Sequence, residues 1–453
     1  MPLHIKLLLN SMETFSYFPH TEGDVRAMLS RIGVSSLDEL YGDVPEDCLF
    51  KGEFDLPDAM SELEVRRFFE GLQAKDVPVK VFAGAGVYDH YTPSVVPYIL
   101  SRSEFLTAYT PYQCEISQGT LRYIFEYQSM ICRLTGMDVS NASLYDGPTA
   151  AAEAMMMAMA SAKKKTRVLL SEGLLPNVVK VVETYAKFHG VEIGHVTATD
   201  GHTSVEALRK ELAAGDVAGV IVPSINKFGV IEDHAGFAEA VHEAKALLIE
   251  YCDASALAVV KTPAEWGADI AVGDGQSLGI PMSFGGPYVG FMAVKKEHLR
   301  KMPGRIVGQT VDRDGKRAFV LTLQAREQHI RREKATSNIC SNQSLMALFV
   351  TVYTALMGPD GLRRVNALSS AGAHYLHDRL METGLFEEAF PGKPFLKEFA
   401  LKPRMSAAVL QQKLLDRGFF GAVQVADGVV TFCVTEKRTK EEIDALVSAV
   451  KEG

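Results

Sequence analysis

The sequence predicts an α/β fold in which a mostly parallel sheet forms the centre of the largest domain. Between residues 163 and 252, short apolar runs alternate with segments of helical periodicity. Such alternation is typical of parallel strands that are joined by helical crossovers. An acidic residue, Asp253, directly follows the last apolar run, and a glycine-rich stretch at 271–287 then separates two further strand-like runs. These observations place a candidate ligand site at one edge of the sheet, because open α/β sheets bind ligands at the carboxyl ends of their strands.

The alternating region is assigned element by element from its hydrophobic pattern. Short apolar runs predict strands at 168–170, 191–196, 217–222 and 246–252. Helical periodicity predicts crossover helices at 175–188, 203–213 and 234–245. We therefore expect a sheet that is covered by helices on both faces.

The length of 453 residues exceeds the usual size of one hydrophobic core, which predicts more than one domain. We expect a helical N-terminal arm at 1–80, a large α/β domain at 81–305 and a small C-terminal α+β domain at 306–453. Capping-box patterns at Thr21 and Ser61 predict two helices in the arm.

The C-terminal part is expected to contain a charged helix over much of 323–338, followed by helices at 343–357 and 361–383. The last segment alternates in the order strand, helix, strand, strand, helix. These elements are predicted at 397–402, 406–417, 421–425, 428–434 and 439–451.

Composition and charge limit the function. The net charge of −9 argues against nucleic-acid binding. Six scattered cysteines without a CxxC pair favour a reducing compartment and free thiols. No histidine cluster has metal-ligand spacing, and no apolar run approaches the roughly 20 residues of a membrane span. We expect no metal and no membrane contact. The residues before Met12 lack the features of a signal peptide, and we expect Met12 to be the native start.

The chemistry of the glycine-rich stretch centres on a missing lysine. An Asp at the end of a strand, followed by a Lys a short strand later, is the pattern that holds pyridoxal phosphate (PLP): the Asp binds the pyridine nitrogen and the Lys forms a Schiff base. Asp253 is present, but no lysine lies between Lys261 and Lys295, and Gln276 stands where the lysine is expected. An amide forms no imine, so the pattern predicts a degenerate cofactor site at Asp253 and Gln276.

Three other stretches are candidates for binding. The loop at 109–119 is polar and aromatic, which favours a site or a contact between subunits. The turn at 141–150 leads into a helix and predicts either an anion site or an ordinary capped helix. The small hydroxyl and amide groups at 336–338 are suited to donate hydrogen bonds to a phosphate.

Several runs together resemble one family, the P-protein of the glycine cleavage system, and most closely the N-terminal subunit of its split form. The resemblance covers almost the whole chain after Met12. The runs that carry it are Phe18-Pro19-His20-Thr21, 110–119, Asn141-Ala142-Ser143-Leu144-Tyr145-Asp146-Gly147, Gly273-Asp274-Gly275-Gln276-Ser277-Leu278-Gly279 and Lys334-Ala335-Thr336-Ser337-Asn338-Ile339-Cys340.

The resemblance implies the type I PLP-transferase fold and a cytoplasmic enzyme that decarboxylates glycine and passes the aminomethyl group to the lipoyl arm of the H-protein. It also implies a beta subunit, in an α2β2 assembly, that carries the Schiff-base lysine and binds PLP covalently. This chain would then contain no catalytic residue and would be inactive alone. Its expected contributions to the partner's pocket are the loop residues Tyr112, Gln113, Glu115 and Gln118 and the phosphate-facing residues Thr336, Ser337 and Asn338.

Two alternatives stay open at this stage. In the first, the chain is a scaffold subunit that contributes no group to the active site. In the second, it is an independent type I PLP enzyme whose lysine is Lys261 or Lys295. The 273–287 loop is expected to pack against the partner near the entry of the lipoyl arm, or only to build the contact between subunits.

Overall fold

The computed structural model describes residues 19–52, 55–162, 164–335 and 337–451. These residues divide into two compact units, one up to Asp76 and one from Val77 onward. This division does not separate the large domain from the small C-terminal domain, so the border expected between residues 305 and 306 stays a prediction. The expected start at Met12 and the candidate Thr336 lie outside the described residues.

The described part of the first unit contains two α-helices, α1 (Glu22–Ile32) and α2 (Glu62–Gln73), with short 3-10 helices between them. Both begin with the predicted capping boxes, at Thr21 and Ser61, in which each side chain accepts a hydrogen bond from the backbone three residues later. Leu29 is the buried residue of α1, and none of the α2 residues is buried.

The second unit contains the remaining helices and all of the described strands. The helices are α3 (Val95–Leu100), α4 (Ser103–Leu106), α5 (Gln118–Thr135), α6 (Gly147–Ser161), α7 (Pro176–His189), α8 (Val205–Leu212), α9 (Phe237–Glu243), α10 (Gln328–Arg331), α11 (Ser344–Met381), α12 (Ala407–Leu415) and α13 (Lys440–Lys451). The strands are β1 (Lys80–Val81), β2 (Val139–Ser140), β3 (Arg167–Ser171), β4 (Glu192–Val196), β5 (Ala198–Thr199), β6 (His202–Thr203), β7 (Val217–Pro223), β8 (Leu247–Asp253), β9 (Ile270–Asp274), β10 (Gly290–Val294), β11 (Ile306–Val311), β12 (Arg317–Thr322), β13 (Phe386–Glu388), β14 (Glu398–Pro403), β15 (Phe419–Phe420), β16 (Val423–Ala426) and β17 (Val429–Cys433).

A seven-stranded sheet in the order β2-β10-β9-β8-β7-β3-β4 forms the centre of this unit. Strand β10 runs antiparallel to both of its neighbours, and the pairs from β9 through to β4 are parallel. The predicted parallel strands and their crossover helices are confirmed. Asp253 and Asp274 are register partners at the last positions of β8 and β9, so both carboxylates lie at the carboxyl edge of the sheet.

Alternating residues of the strands point into two apolar cores, one on each face of the sheet. Leu169, Val220 and Leu248 lie in the first core, whereas Leu170 and Ile221 lie in the second. Both faces are covered, which explains why the strands are apolar throughout.

A four-stranded antiparallel sheet in the order β13-β14-β17-β16 follows near the C-terminus. It has its own apolar core, to which α11, α12 and α13 contribute. The elements predicted for 397–451 are present in the predicted order, with one unpredicted short strand, β15, between α12 and β16. Strand β13 and the β11–β12 hairpin were not predicted.

The charged helix predicted over much of 323–338 is wrong. The described residues of this segment contain only α10 and single 3-10 turns at Gln324–Arg326 and Arg332–Lys334. Leu323 and Arg332 adopt positive φ angles of 54° and 52°, and a left-handed residue interrupts a right-handed helix.

Helix α11 contains the two helices predicted at 343–357 and 361–383, joined at a kink where Gly358 has a φ of 59° before Pro359. By length and composition, α11 is the one helix of the described chain that could span a membrane. However, Ala347, Val350 and Tyr353 are buried in the core, which is typical of a core helix.

Candidate functional site

The degenerate site at the carboxyl edge of the sheet holds a buried ion pair that the sequence did not predict. Lys397 Nζ lies 2.7 Å from Asp253 Oδ2, and the two side chains are 2% and 7% exposed. Burial raises the pKa of Asp253, but the charge of Lys397 and hydrogen bonds from Lys397 and Ser277 outweigh it and hold the pKa below its usual value. Asp253 is therefore ionised, and its charge is neutralised within the chain.

The ammonium group of Lys397 has three acceptors for its three protons. Besides Asp253, it donates to Ser255 Oγ at 2.9 Å and lies 3.1 Å from His90 Nε2. His90 Nδ1 is 2.7 Å from Glu436 Oε2. Burial and the neighbouring Lys397 lower the pKa of His90, so the network assigns a neutral imidazole that donates to Glu436 and accepts from Lys397.

Gln276 is fixed in place by backbone groups and is 1% exposed. Its Oε1 accepts a hydrogen bond from Tyr88 N at 2.8 Å, and its Nε2 donates to the carbonyl oxygens of Tyr88 and Ile280 at 2.9 and 2.7 Å. The amide therefore joins the loop before α3 to the glycine-rich stretch. It has both an acceptor and donors in use, a combination that a lysine side chain lacks.

Carboxylates occupy the predicted anion position at the start of α6. Asp146 caps the helix by accepting from Thr149 N at 2.7 Å. Asp274 accepts from Gly147 N and from Gln276 N, each at 2.9 Å. Burial, together with the charge of Asp146, raises the pKa of Asp274 to about 7. The geometry agrees with a capped helix, because protein groups already use the free N–H groups that a phosphate would need.

Pyridoxal phosphate does not fit this site. The remaining cavity, which Tyr88, Asp253 and Asp274 help to line, has a volume of about 30 Å³, whereas sites for organic cofactors usually exceed about 300 Å³. Asp253, the expected partner of the pyridine nitrogen, is already paired with Lys397, and Gln276, at the position where a lysine was expected, forms no imine. We call this arrangement of Asp253, Gln276, Asp274 and Lys397 the sealed site.

The loop at 109–119 presents polar side chains to solvent. Tyr112, Gln113 and Glu115 are exposed, so they are accessible to a partner. Gln118 differs, because its amide donates to Cys114 O and Phe319 O and accepts from Phe319 N, at 2.7, 2.9 and 2.9 Å. These bonds fasten α5 to β12, which favours a structural role for Gln118.

The other candidate stretch lies beside a small basic cavity. Ser337, whose Oγ accepts from Ile339 N at 3.1 Å, lines this cavity together with Arg305. Asn338 is exposed. The Arg305 guanidinium lies 5.6 Å from the ring centre of Tyr112, so Arg305 links the two predicted stretches. Arg305 and Lys397 could not be selected from the sequence, because neither belongs to a motif.

The tip of the glycine-rich stretch projects an aromatic ring into solvent. Phe284 is fully exposed. Its φ angle is 55°, and the φ angle of Ser283 is 44°. A fully exposed phenylalanine in a left-handed conformation has no function in the core of this chain.

The two lysines that were alternatives for a Schiff base are engaged elsewhere. Lys261 Nζ lies 3.9 Å above the Trp266 ring. Lys295 pairs with Asp269 at 2.7 Å and follows Val294, which is the register partner of Ile270. Lys295 therefore lies at the opposite edge of the sheet from the sealed site.

Asp269, Glu297 and His298 bring three potential metal-ligand atoms within 4.8 Å of one another. Asp269 already accepts hydrogen bonds from Lys295 Nζ and from Leu248 N. The carboxylate that would anchor a metal is thus neutralised by a lysine.

The chain resembles known proteins over nearly its full length. The sequence model of the family described as "Glycine cleavage system P-protein" matches residues 15–450. A probable glycine dehydrogenase (decarboxylating) subunit 1 from Moorella thermoacetica is 49% identical over 442 residues, which are 96% of this chain and 99% of that protein. The corresponding protein of Carboxydothermus hydrogenoformans is 48% identical over 443 residues, which are 96% of this chain and 99% of its own.

Solved structures agree with this assignment. The inhibitor-bound crystal structure of a glycine decarboxylase (P-protein) of the glycine cleavage system has a TM-score of 0.88 at 43% identity, over 97% of this chain and 99% of that one. A cysteine desulfurase from Thermococcus onnurineus NA1 has a TM-score of 0.62 at 13% identity, over 88% of this chain and 100% of its own, and shares only the fold. The predicted type I PLP-transferase fold is thereby confirmed, and the chain belongs to the glycine cleavage system P-protein family.

Proposed function

We propose that this chain is the subunit of a two-subunit glycine dehydrogenase (decarboxylating) that does not carry the cofactor. The sealed site carries this proposal: the chain keeps the fold of a PLP enzyme, while its own side chains occupy the cofactor positions. A second subunit would then bind PLP covalently and contain the catalytic lysine. The isolated chain is expected to be inactive with glycine.

In the proposed complex, the two subunits decarboxylate glycine, release CO2 and transfer the aminomethyl group to the lipoyl group of the H-protein. PLP supplies the electron sink for the decarboxylation when it is bound to the partner. This chain supplies exposed groups at the contact, namely Tyr112, Gln113 and Glu115, together with the phosphate-facing candidates Thr336, Ser337 and Asn338. An α2β2 assembly gives each partner site one such neighbour.

The proposed location is a reducing cytoplasm. The structure describes all six cysteines, and each is a free thiol. Free cysteines are compatible with a compartment that keeps thiols reduced.

The test of the proposal is borohydride trapping with PLP, first on the full chain alone and then on its mixture with the candidate second subunit. We expect an imine absorbance band and a trapped lysine only in the mixture, with the adduct on the second subunit. A trapped lysine on this chain would show instead that it is an independent PLP enzyme.

The second candidate function is that of a scaffold subunit. The hydrogen bonds of Gln118 to backbone groups of its own chain favour a structural role for that residue. The variant Glu115→Gln separates the two functions because the side chain is exposed and its loss leaves the fold intact. If the loop lines the partner's pocket, glycine turnover by the assembled complex falls while assembly stays unchanged. Unchanged turnover would favour the scaffold.

A further inference from the structure

A small basic cavity lies outside the sealed site, between the backbone segments 300–305, 326–328 and 337–342. Its volume is about 30 Å³, and about 10–15 Å³ holds one water molecule. The cavity therefore accommodates a small group and not a whole cofactor. Four basic residues line it against one acidic residue, Glu327; they are Arg300, Lys301, Arg305 and Arg326.

Arg305 is the buried cation of this cavity, with a side chain that is 4% exposed. Its Nε lies 3.5 Å from Glu327 Oε2, and its Nη2 lies 3.5 Å from the Tyr112 hydroxyl. Its Nη1 has no hydrogen-bond acceptor among the residues that the structure describes. A guanidinium stays charged at any physiological pH, and a buried charged donor without an acceptor is costly. The geometry thus leaves two donors of this guanidinium, Nε and Nη1, without a hydrogen-bond acceptor among the described residues.

Arg326 supplies a second guanidinium to the same cavity. It donates to Gly304 O at 3.0 Å and to Met302 O, which fixes the backbone beside Arg305. Its Nε also lacks an acceptor within the described part of the chain, and burial lowers its pKa. Glu327 is the single acidic group of the lining and is 9% exposed, so the two guanidinium groups carry more charge than it neutralises.

We propose that Arg305 and Arg326 bind a phosphate oxyanion in this cavity. Guanidinium groups match the geometry of phosphate oxygens and bind them through paired hydrogen bonds. A doubly charged anion would supply the missing acceptors and balance the excess charge. Ser337 lines the same cavity and Tyr112 covers Arg305, so the site joins the two stretches expected to face a partner.

The phosphate has two possible sources, which are a free phosphate ion and the phosphate group of the partner's cofactor. The second source rests on the proposed function, whereas the first does not. Binding of inorganic phosphate to the isolated full chain therefore tests the cavity independently of the trapping experiment. A lysine trapped on this chain would overturn the proposed function and leave the phosphate result unaffected.

The experiment is calorimetric titration of the full chain with inorganic phosphate at constant ionic strength. We expect saturable binding to the wild-type chain that is weakened about tenfold or more in Arg305→Gln, because one charged donor is lost. The control is Arg313→Gln, since Arg313 is 96% exposed on the β11–β12 turn and lies outside the cavity. Arg305→Lys keeps the charge and serves if Arg305→Gln does not fold.

The second arm measures the PLP dissociation constant of the complex with the second subunit. A rise of about tenfold in Arg305→Gln, with Arg313→Gln unchanged, would assign the cavity to the cofactor phosphate. Weakened phosphate binding without a change in PLP affinity would assign it to a free phosphate. Absence of saturable phosphate binding by the wild-type chain, together with unchanged PLP affinity in the Arg305 variants, would overturn the proposal.

Discussion

At the scale of single residues, protein groups of the sealed site take the positions where contacts with a cofactor were expected from the sequence. Lys397 takes the place of the pyridinium as the partner of Asp253, at 2.7 Å. Asp274 takes the place of an anion at the start of α6, and Gln276 occupies the lysine position with its amide bound to backbone. Each of these buried polar groups therefore has its partners within the chain.

Removing the charge of Lys397 should strongly destabilise the chain. The substitution Lys397→Met leaves Asp253 buried and unpaired, and breaking a buried ion pair costs about 3–5 kcal/mol. We expect a loss of this size in the free energy of unfolding, measured by urea denaturation at pH 7.

Two further variants make that measurement specific. Lys402→Met is the control, because Lys402 is exposed on β14, the strand that Lys397 directly precedes, and should change the stability by less than about 0.5 kcal/mol. The double variant Lys397→Met with Asp253→Leu should recover much of the loss, since an apolar pair can replace a buried ion pair. A Lys397→Met protein as stable as the control would contradict the assigned ion pair.

Restoring a lysine at position 276 should not restore cofactor binding. Gln276→Lys removes the acceptor of Tyr88 N, which costs about 1–3 kcal/mol for a buried donor, and it leaves Lys397 and Asp274 in the cofactor positions. After incubation of the full-chain variant with PLP and borohydride, we expect no adduct at position 276 by mass spectrometry. Gln113→Lys, at an exposed position, controls for nonspecific labelling, and an adduct confined to position 276 would show that the site is open.

Buried Glu153 on α6 should make stability depend on pH. Burial raises the pKa of Glu153 from 4.5 to about 7. A hydrogen bond from Ser337 acts in the opposite direction but is the smaller effect. The folded state therefore keeps a proton between pH 4.5 and 7 that the unfolded state has lost, so the contribution of Glu153 to stability is fully present below pH 4.5 and is lost as the pH rises to 7. Asp274 contributes in the same direction.

The variant Glu153→Gln tests this pH dependence because the amide resembles the protonated acid. Its free energy of unfolding should fall less between pH 4.5 and 7, by about 1–3 kcal/mol. Urea denaturation at a series of pH values measures the difference. Parallel pH profiles for the two proteins would mean that Glu153 titrates normally.

The residue scale also shows where sequence analysis stops. Asp253 and Gln276 could be selected because both lie at a predictable strand end, where PLP chemistry demands particular residue types. Lys397 could not be selected, because it precedes β14 in a different part of the chain and only the tertiary fold brings it to Asp253. Arg305 could not be selected either, because only the structure shows that its side chain is buried and lacks hydrogen-bond acceptors.

At the scale of elements, the parallel strands were predictable and the irregular connections were not. Strands β3, β4, β7 and β8 alternate with helices in the sequence, which is a strong signal. The failed helix at 323–338 shows the limit of the charge pattern: positive φ angles at Leu323 and Arg332 divide the segment, and no glycine marks either position.

The tip of the 281–287 loop should contribute to assembly with the second subunit. Phe284 is fully exposed, and aromatic side chains of this kind often dominate an interface. We expect Phe284→Ser to weaken the association of the two subunits about tenfold or more, measured by analytical ultracentrifugation. Phe188→Ser is the matched control, because Phe188 is 77% exposed on α7; equal affinities for both variants would exclude the loop from the contact.

At the scale of the whole molecule, the sealed site predicts that stability is independent of the cofactor. A ligand raises the melting temperature only if it binds the folded state. Added PLP should therefore raise the melting temperature of the isolated chain no more than the same concentration of inorganic phosphate does in differential scanning calorimetry, while it raises that of the second subunit. A larger rise with PLP for this chain, with no trapped lysine, would reveal a noncovalent cofactor site.

Because Lys397 pairs with Asp253, we also expect the fold of this chain not to depend on the supply of vitamin B6. A subunit whose cofactor position is filled by an encoded side chain reaches its final fold as soon as it is synthesised, whatever the vitamin concentration. Its proposed partner, in contrast, would need the vitamin to complete its site. Under vitamin limitation the two chains would differ in their sensitivity to degradation, and this one would persist as a ready acceptor for each newly loaded partner.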